Sequence, residues 1–203
     1  MKKIDLEKKK IIIRADGNAR MGAGHLMRCL TIAEALPREM VLFLCADEAS
    51  GALAEEHGYE VYVLHSDYQH MEEELAGWDK LLAEHSAKRV LLVGSYFVTN
   101  TYLASLKKYG KVVLLEDMGK EAFHADILIN YNAFADQNMY DALHSPYETE
   151  NFTGGSYIPI RKAFCEKVYP VRAEAENLLI TTGGGDVDNI AGVILKMLME
   201  TET

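Results

Sequence analysis

Residues 11–28 read IIIRADGNARMGAGHLMR, and this stretch decides the fold class. Its three isoleucines form a continuous apolar run, which is typical of a strand buried on both faces of a parallel sheet. The turn after that strand holds Gly17, Gly22 and Gly24, and apolar residues then recur from residue 25 onward at helical spacing. A strand, a glycine-rich turn and a helix form the opening unit of an open α/β sheet. Since such sheets bind ligands at the carboxyl ends of their strands, we predict a site at this turn.

The same alternation continues along most of the 203 residues. Together with the first strand at 11–14, the runs at 41–45, 60–64, 89–93, 112–115 and 126–130 predict strands, and the segments 25–36, 50–57, 71–85 and 99–109 predict helices. Apolar strands separated by helices are typical of right-handed crossovers in a parallel sheet that is covered on both faces. The predicted fold is therefore α/β, a Rossmann-like doubly wound parallel sheet.

Two segments depart from this alternation. Residues 132–164 are polar and rich in turn formers, which predicts a long loop or a crossover on the surface that closes a first domain at residues 1–165. A charged linker is predicted at 166–176. Residues 177–203 then show a strand pattern at 177–182, the glycine run 183–185 and a helical pattern at 189–200. We interpret residues 177–203 as the first strand–helix unit of an incomplete second domain.

Composition and charge exclude several classes of partner. The net charge of −10, from 21 basic and 31 acidic residues, argues against nucleic acid and against an anionic membrane, because such binding depends on Lys and Arg. The apolar run at 11–13 is too short for a signal peptide or a membrane span. Cys29, Cys45 and Cys165 are odd in number and lack C-x-x-C spacing, so neither a disulfide framework nor a zinc ribbon is indicated. We therefore expect a cytoplasmic protein.

The glycine-rich turn does not match a dinucleotide-binding fingerprint. Met27 stands where the pair Gly22 and Gly24 should be followed by a third Gly or Ala. His25 is more specific, because it lies at the start of the predicted helix, where the positive helix dipole disfavours imidazolium. A neutral histidine at this place suits a general base, and the alternative is a histidine that caps its own helix.

Polar residues also follow later strands. Tyr96 could donate a hydrogen bond to a ligand or could be a packing residue with its hydroxyl in water. Glu116 and Asp117 could bind a ligand hydroxyl or cap the next segment, and capping is favoured on the residues alone. The charged run at 71–74 is interpreted as a solvated helix face.

The stretch 12–30 resembles the UDP-2,4-diacetamido-2,4,6-trideoxy-β-L-altropyranose hydrolases of pseudaminic acid biosynthesis and their relatives in spore-coat and surface polysaccharide clusters. The resemblance continues through GSYFVT at 94–99, DILINYN at 126–132, YIPIR at 157–161 with Phe164, and GGGD at 183–186 with Asn189. It covers nearly the whole chain. Two positions depart from the relatives: Gly94 replaces an acidic residue, and Glu116 stands in a pair that is often two aspartates.

Members of this family resemble GT-B glycosyltransferases, in which two Rossmann-like domains face each other. The resemblance implies that the second domain holds most of the nucleotide, that the sugar lies in the cleft, and that this chain is an N-terminal part with the truncated start of a nucleotide-binding domain. It further implies a UDP-sugar substrate that is hydrolysed without a metal or a cofactor, by attack of water at the anomeric carbon with inversion.

The resemblance also implies roles for single residues. His25 matches the base of the family. The remaining residues carried over are candidates for substrate binding, namely Asp16, Asn18, Gly22, Gly24, Arg28, Tyr96 and Asn189.

Two other functions stay open on the sequence. A GT-B glycosyltransferase would transfer the sugar to an acceptor instead of water, and a non-catalytic domain would bind a sugar or a partner. Because a GT-B-like site is built between two domains, the 203-residue chain alone is expected to be inactive as a hydrolase. It is expected to be a monomer or a domain-swapped dimer, with hinges at 166–176 and 183–185.

Overall fold

The computed structural model describes residues 4–18, 21–85, 87–119, 121–165, 170–183 and 186–201. The strands in these ranges are β1 Ile11–Ala15, β2 Val41–Cys45, β3 Glu60–Val63, β4 Arg89–Gly94, β5 Gly110–Leu115, β6 Ile127–Asn130 and β7 Glu150–Thr153. The α-helices are α1 Gly24–Ala33, α2 Glu48–Glu56, α3 Leu75–Leu82, α4 Asn100–Leu106, α5 Gln137–His144 and α6 Ile190–Thr201. Short 3₁₀ turns lie at Arg38–Met40, Met71–Glu74, Ser145–Tyr147, Gly155–Tyr157 and Lys162–Phe164.

The strands form one parallel sheet in the order β3-β2-β1-β4-β5-β6-β7. Neighbouring residues of β1 point to opposite faces: Ile12 belongs to a core with α3, α4 and α5, and Ile13 belongs to a core with α1 and α2. Both faces of the central strands are thus buried, which is why their sequences are continuous apolar runs. The predicted α/β Rossmann-like fold is confirmed.

The strand order reverses between β1 and β4. The helices that follow these two strands lie on opposite faces of the sheet, since α1 packs on one core and α4 on the other. Such a reversal opens a crevice at the carboxyl ends of the two strands. The segments after β1, β4, β5 and β6 all reach this edge of the sheet.

Of the loop and the crossover predicted for 132–164, the crossover is the one found, because α5 connects β6 to the parallel strand β7 within this segment. Helix α5 is capped by Asp136, whose side chain accepts a hydrogen bond from the N–H of Met139 at 2.9 Å. Its anchor is Tyr140, which is fully buried. Strand β7 is held by parallel pairing with β6, although its sequence ENFT carries little apolar signal. Long-range pairing therefore forms a seventh strand that the local pattern does not indicate.

The tail differs from its prediction in one element. The predicted strand at 177–182 is wrong, because these residues pair with no described strand and a strand needs such a partner. The predicted helix is confirmed as α6. Apolar side chains of the tail are exposed, among them Leu178, Leu179 and Val193.

Some predicted features lie outside the described residues, namely the first part of the linker at 166–169, Gly184 and Gly185 of the glycine run, and Ala19 and Arg20 of the first turn. The division into two domains stays a prediction. Within the described ranges, none of the helices has the length and the apolar composition needed to cross a bilayer.

Candidate active site

His25 is buried at the start of α1. The helix begins at Gly24, and its cap position is taken by Ala23, whose methyl group forms no hydrogen bond. The ring of His25 is 2% exposed, and neither ring nitrogen has a hydrogen-bond partner among the described residues. His25 therefore does not cap its own helix, and its role as a general base stays a prediction.

Gly94, the last residue of β4, lets α1 approach the sheet closely. A Cβ atom at this position would lie 2.8 Å from Sγ of Cys29 and 3.5 Å from Nδ1 of His25. Any larger side chain would displace the helix that carries the histidine. Burial raises the pKa of the Cys29 thiol to about 12, so this residue packs as a neutral thiol.

Tyr96 meets His25 from the segment after β4. The two rings pack edge to face, with centroids 4.1 Å apart and an angle of 89° between their planes. The Tyr96 hydroxyl donates a hydrogen bond to Oδ2 of Asp117 at 3.3 Å. About half of the Tyr96 side chain is exposed, so a ligand in the crevice can reach it.

Asp117, which follows β5, completes the group. Its Oδ2 lies 3.6 Å from Nε2 of His25 and also accepts a hydrogen bond from the Tyr131 hydroxyl at 3.1 Å. Its backbone carbonyl accepts a hydrogen bond from the Asn132 side chain at 3.1 Å. The other carboxylate oxygen, Oδ1, is buried without a hydrogen-bond partner among the described residues. Three strand ends thus bring His25, Tyr96 and Asp117 together, and we call these three residues the crevice triad.

Burial lowers the pKa of His25 below the ordinary histidine value. The negative charges of Asp117 and, more weakly, Glu116 act in the opposite direction, whereas the positive charge of Arg28 lowers the pKa further. The imidazole is therefore neutral near pH 7, as a proton acceptor must be.

The neighbouring carboxylate, Glu116, has a structural role. Its Oε1 accepts hydrogen bonds from the backbone N–H groups two and three residues further on, and its Oε2 accepts from the side chains of Asn130 and Tyr140. The capping interpretation thus holds for Glu116, while the Asp117 carboxylate faces the histidine.

The crevice triad lines a cavity of about 130 Å³. The rest of its wall is formed by Ser95, Val98, Glu116, Met118, Glu121 and Phe123. The lining combines polar and acidic side chains with apolar ones, as is usual for a site that binds a small ligand.

Asp16, the residue after β1, is buried and does not line the cavity of the triad. Its Oδ2 pairs with Arg14, and its Oδ1 accepts a hydrogen bond from the N–H of Ala46 at 2.7 Å. Both oxygens are thus engaged within the protein, so in this structure Asp16 holds the turn instead of facing the cavity.

Asn18 and Gly22 close the same turn. The carbonyl of Asn18 accepts a hydrogen bond from the N–H of Gly22 at 2.9 Å, and the Asn18 side chain donates to Asp47 at 3.2 Å. Gly22 has φ +79°, a left-handed conformation that favours glycine. These contacts set the path of the chain into α1.

Arg14 is anchored by Glu74, the last residue of the 3₁₀ turn before α3. Both side chains are almost fully buried and form two hydrogen bonds, one of them from Nε of Arg14 to Oε2 of Glu74 at 2.7 Å. Ser66 and Tyr102 also donate to the Glu74 carboxylate, at 3.1 and 3.0 Å. The prediction of a solvated face at 71–74 is therefore wrong for Glu74, because the tertiary fold buries this carboxylate against the guanidinium of Arg14.

Arg28 links α1 to the segment after β6. Its guanidinium lies over the ring of Tyr131 at 4.9 Å from the centroid, and a Cβ at Gly24 would lie 2.9 Å from its Nη1. Gly24 thus leaves room for the arginine beside the first turn of the helix. Arg28 also lines a groove together with Met27, Thr31, Pro159, Ile160, Arg161 and Phe164.

Asn189 is not brought to the crevice triad by a hydrogen bond within the described residues. It lies on the exposed tail with φ +54°, and its backbone bonds to Asp186 and Val193. No group of three or more His, Cys, Asp and Glu side chains in the described ranges is arranged to hold a metal ion.

The chain matches proteins of known sequence over nearly its whole length. It is 29% identical over 195 residues, 95% of the chain, to the UDP-2,4-diacetamido-2,4,6-trideoxy-beta-L-altropyranose hydrolase of Campylobacter jejuni. The resemblance seen in the motifs is confirmed. The chain is also 25% identical over 182 residues, 86% of its length, to the spore coat polysaccharide biosynthesis protein SpsG of Bacillus subtilis. An uncharacterised protein of Methanocaldococcus jannaschii is 23% identical over 208 aligned residues, 95% of the chain.

These relatives are longer than the chain. It spans 67% of the Campylobacter hydrolase, 50% of the Bacillus protein and 40% of the archaeal protein. No protein-family model matches the chain.

Two features of the site could not be assigned from the sequence. For Asp117 the residues alone favour capping over binding of a ligand hydroxyl, and they give Tyr131 no role. The available signal was position alone, since both follow strands whose carboxyl ends line the crevice.

Proposed function

We propose that this chain carries the catalytic base of a hydrolase that releases UDP from a UDP-linked 2,4-diacetamido-2,4,6-trideoxy sugar. The observation that carries the proposal is the buried, neutral His25 at the strand-reversal crevice, beside Tyr96 and Asp117. The similarity to the Campylobacter hydrolase supplies the substrate class. A UDP-sugar is accordingly the proposed partner.

In this proposal His25 takes a proton from a water molecule at the anomeric carbon. The oxygen of that water forms the new bond to carbon, and the bond from carbon to the diphosphate oxygen breaks with its electron pair leaving on UDP. Because UDP is a good leaving group, a positioned base and hydrogen-bond donors on the diphosphate suffice, without a metal. Attack from the face opposite the leaving group inverts the configuration.

The other candidate residues would act on the substrate around this base. Tyr96, half exposed in the cavity wall, would accept a hydrogen bond from a sugar hydroxyl at its phenol oxygen, while its O–H donates to Asp117. Arg28 and the helix start at Gly22 and Gly24 would lie next to negative charge, since guanidinium groups and helix N-termini both attract anions. Asn189 would approach the substrate from the second domain, and the 203-residue chain by itself would bind UDP weakly and turn over little.

The test is UDP release from the UDP-sugar by the full-length protein and its His25→Asn variant. We expect turnover to fall by roughly 10²- to 10⁴-fold while substrate affinity changes little, because a base acts mainly in the transition state. His70→Asn is the matched control, since His70 lies on an exposed loop and pairs with Asp67 at 2.9 Å. Near-normal turnover in His25→Asn would reject the assignment.

The same assay separates a hydrolase from a GT-B glycosyltransferase. A hydrolase releases UDP and free sugar from the UDP-sugar alone, with water as the acceptor. A transferase releases little free sugar until an acceptor is added. Release that depends on an added acceptor would therefore favour the transferase.

A further inference from the structure

His25 and Asp117 both line the cavity beside β5. Nε2 of His25 and Oδ1 of Asp117 are buried, and neither atom has a hydrogen-bond partner among the described residues. Burying a polar atom without a partner costs roughly 1–3 kcal/mol, so a pair of such atoms at one place indicates a site that is completed by a ligand.

The geometry shows which ring nitrogen serves this site. Nδ1 of His25 points toward Gly94 at the end of β4, where a Cβ would lie only 3.5 Å away. Nε2 points toward Asp117, at 3.6 Å from Oδ2. That separation is longer than a direct hydrogen bond, and a polar pair at such a distance is often bridged by water.

The Asp117 carboxylate is held in place through only one of its two oxygens. Hydroxyl groups of Tyr96 and Tyr131 both donate to Oδ2, at 3.3 and 3.1 Å, and leave Oδ1 unengaged. Glu116 cannot take this role, because its two oxygens already accept hydrogen bonds from within the protein.

We propose that Asp117 is a positioning residue, which holds the attacking water by accepting one of its O–H groups at Oδ1 while His25 Nε2 accepts the other. This inference rests on the proposed hydrolase function. A water molecule has two donor O–H groups, and two acceptors that take both of them leave the lone pairs of its oxygen free for attack on the anomeric carbon. During attack the proton shared with Nε2 moves to His25, the oxygen bonds to carbon, and UDP leaves with the electron pair of the broken bond. The negative charge of Asp117 then stabilises the imidazolium that has formed.

The variant Asp117→Asn tests the proposal in the full-length protein, because asparagine keeps the shape and loses the charge. We expect kcat to fall by roughly 10- to 10²-fold, less than for loss of the base itself, with KM nearly unchanged. Asp136→Asn is the matched control, since Asp136 caps α5 and asparagine caps a helix about as well as aspartate.

The second readout is the titration of the His25 ring by NMR, with the resonance assigned by its loss in His25→Asn. Charged groups facing the ring are Asp117 and Glu116 beyond β5 and Arg28 on α1, and the Tyr96 hydroxyl faces it from beyond β4. The pKa-raising effect of Asp117 is the larger of the two acidic ones. Its removal should move the titration of His25 and the acid limb of kcat to lower pH, whereas Asp136→Asn should move neither.

Every result of the kcat measurement and of the NMR titration either supports or contradicts the role of Asp117. An unmoved titration, or a kcat within twofold of the wild-type value, would overturn the role of Asp117 while leaving the hydrolase assignment intact. If the titration of His25 is shifted in Asp117→Asn but the wild-type protein releases no UDP, the electrostatic coupling of His25 and Asp117 is supported and the hydrolase assignment is rejected. Should Asp117→Asn fail to fold, Asp117→Ala with added formate replaces it: partial recovery of turnover supports the proposal, and a folded variant without recovery contradicts it.

Discussion

Substitution of Gly94 by alanine tests how the sheet positions the proposed base. The added methyl would lie 2.8 Å from Sγ of Cys29, where ordinary van der Waals contacts begin near 3.4 Å. Cys29 is fully buried in the core beneath α1, so the sulfur has little space to move away. We expect α1 to shift outward, and His25 to shift with it, because its Nδ1 lies 3.5 Å from the same methyl position.

The cost of this overpacking is about 1–3 kcal/mol of the free energy of unfolding. For a chain of this length, each kcal/mol lowers Tm by about 2–4 °C. The assay is thermal unfolding of Gly94→Ala beside Gly155→Ala, whose Cβ would meet nothing within 4 Å and which should be close to neutral. UDP release, measured with the same two substitutions in the full-length protein, should fall only for Gly94→Ala.

A double-mutant cycle with Cys29→Ala identifies the clashing atom. Removing the sulfur leaves a small cavity and is destabilising by itself, but it makes room for the new methyl at Gly94. The double variant should therefore be about 0.5–3 kcal/mol more stable than the sum of the two single effects predicts. Strictly additive effects would show that the contact with Sγ does not explain the glycine.

Two further predictions concern the buried ion pair and the crevice. Glu74→Gln removes one of the two carboxylates that pair with the buried Arg14, the other being Asp16, and should cost about 1–3 kcal/mol in urea unfolding because the hydrogen bonds to the guanidinium lose their charged acceptor. The exposed Glu73→Gln should stay within about 0.5 kcal/mol, and equal effects would contradict the buried pair. Tyr96→Phe removes one hydrogen-bonding hydroxyl from the cavity wall and should weaken binding of the UDP-sugar in calorimetric titration by about 0.5–1.5 kcal/mol. Unchanged affinity would place that hydroxyl away from the ligand.

The parallel sheet and the place of the site follow from local sequence. Runs such as VLFLC at 41–45 are apolar throughout, and only a strand covered on both faces requires such a run. The turn before His25 can also be recognised in the sequence, because glycines between a strand and a helix mark the edge of the sheet where ligands bind. Six of the seven strands and the histidine are therefore accessible to sequence reasoning, with boundaries that shift by one or two residues.

Tertiary structure alone decided the features that depend on partners distant in the chain. Glu74 has the local pattern of a solvated glutamate, and only the packing of its turn beneath Arg14, 60 residues earlier, makes it a buried counter-ion. Strand β7 forms because β6 offers a free edge, although its own residues favour a loop. The contact between His25 and Asp117 joins the ends of β1 and β5, which become near neighbours only when β4 inserts between them. Periodicity reports which face of an element is buried, but it carries no information about which polar side chains meet at the ends of non-consecutive strands.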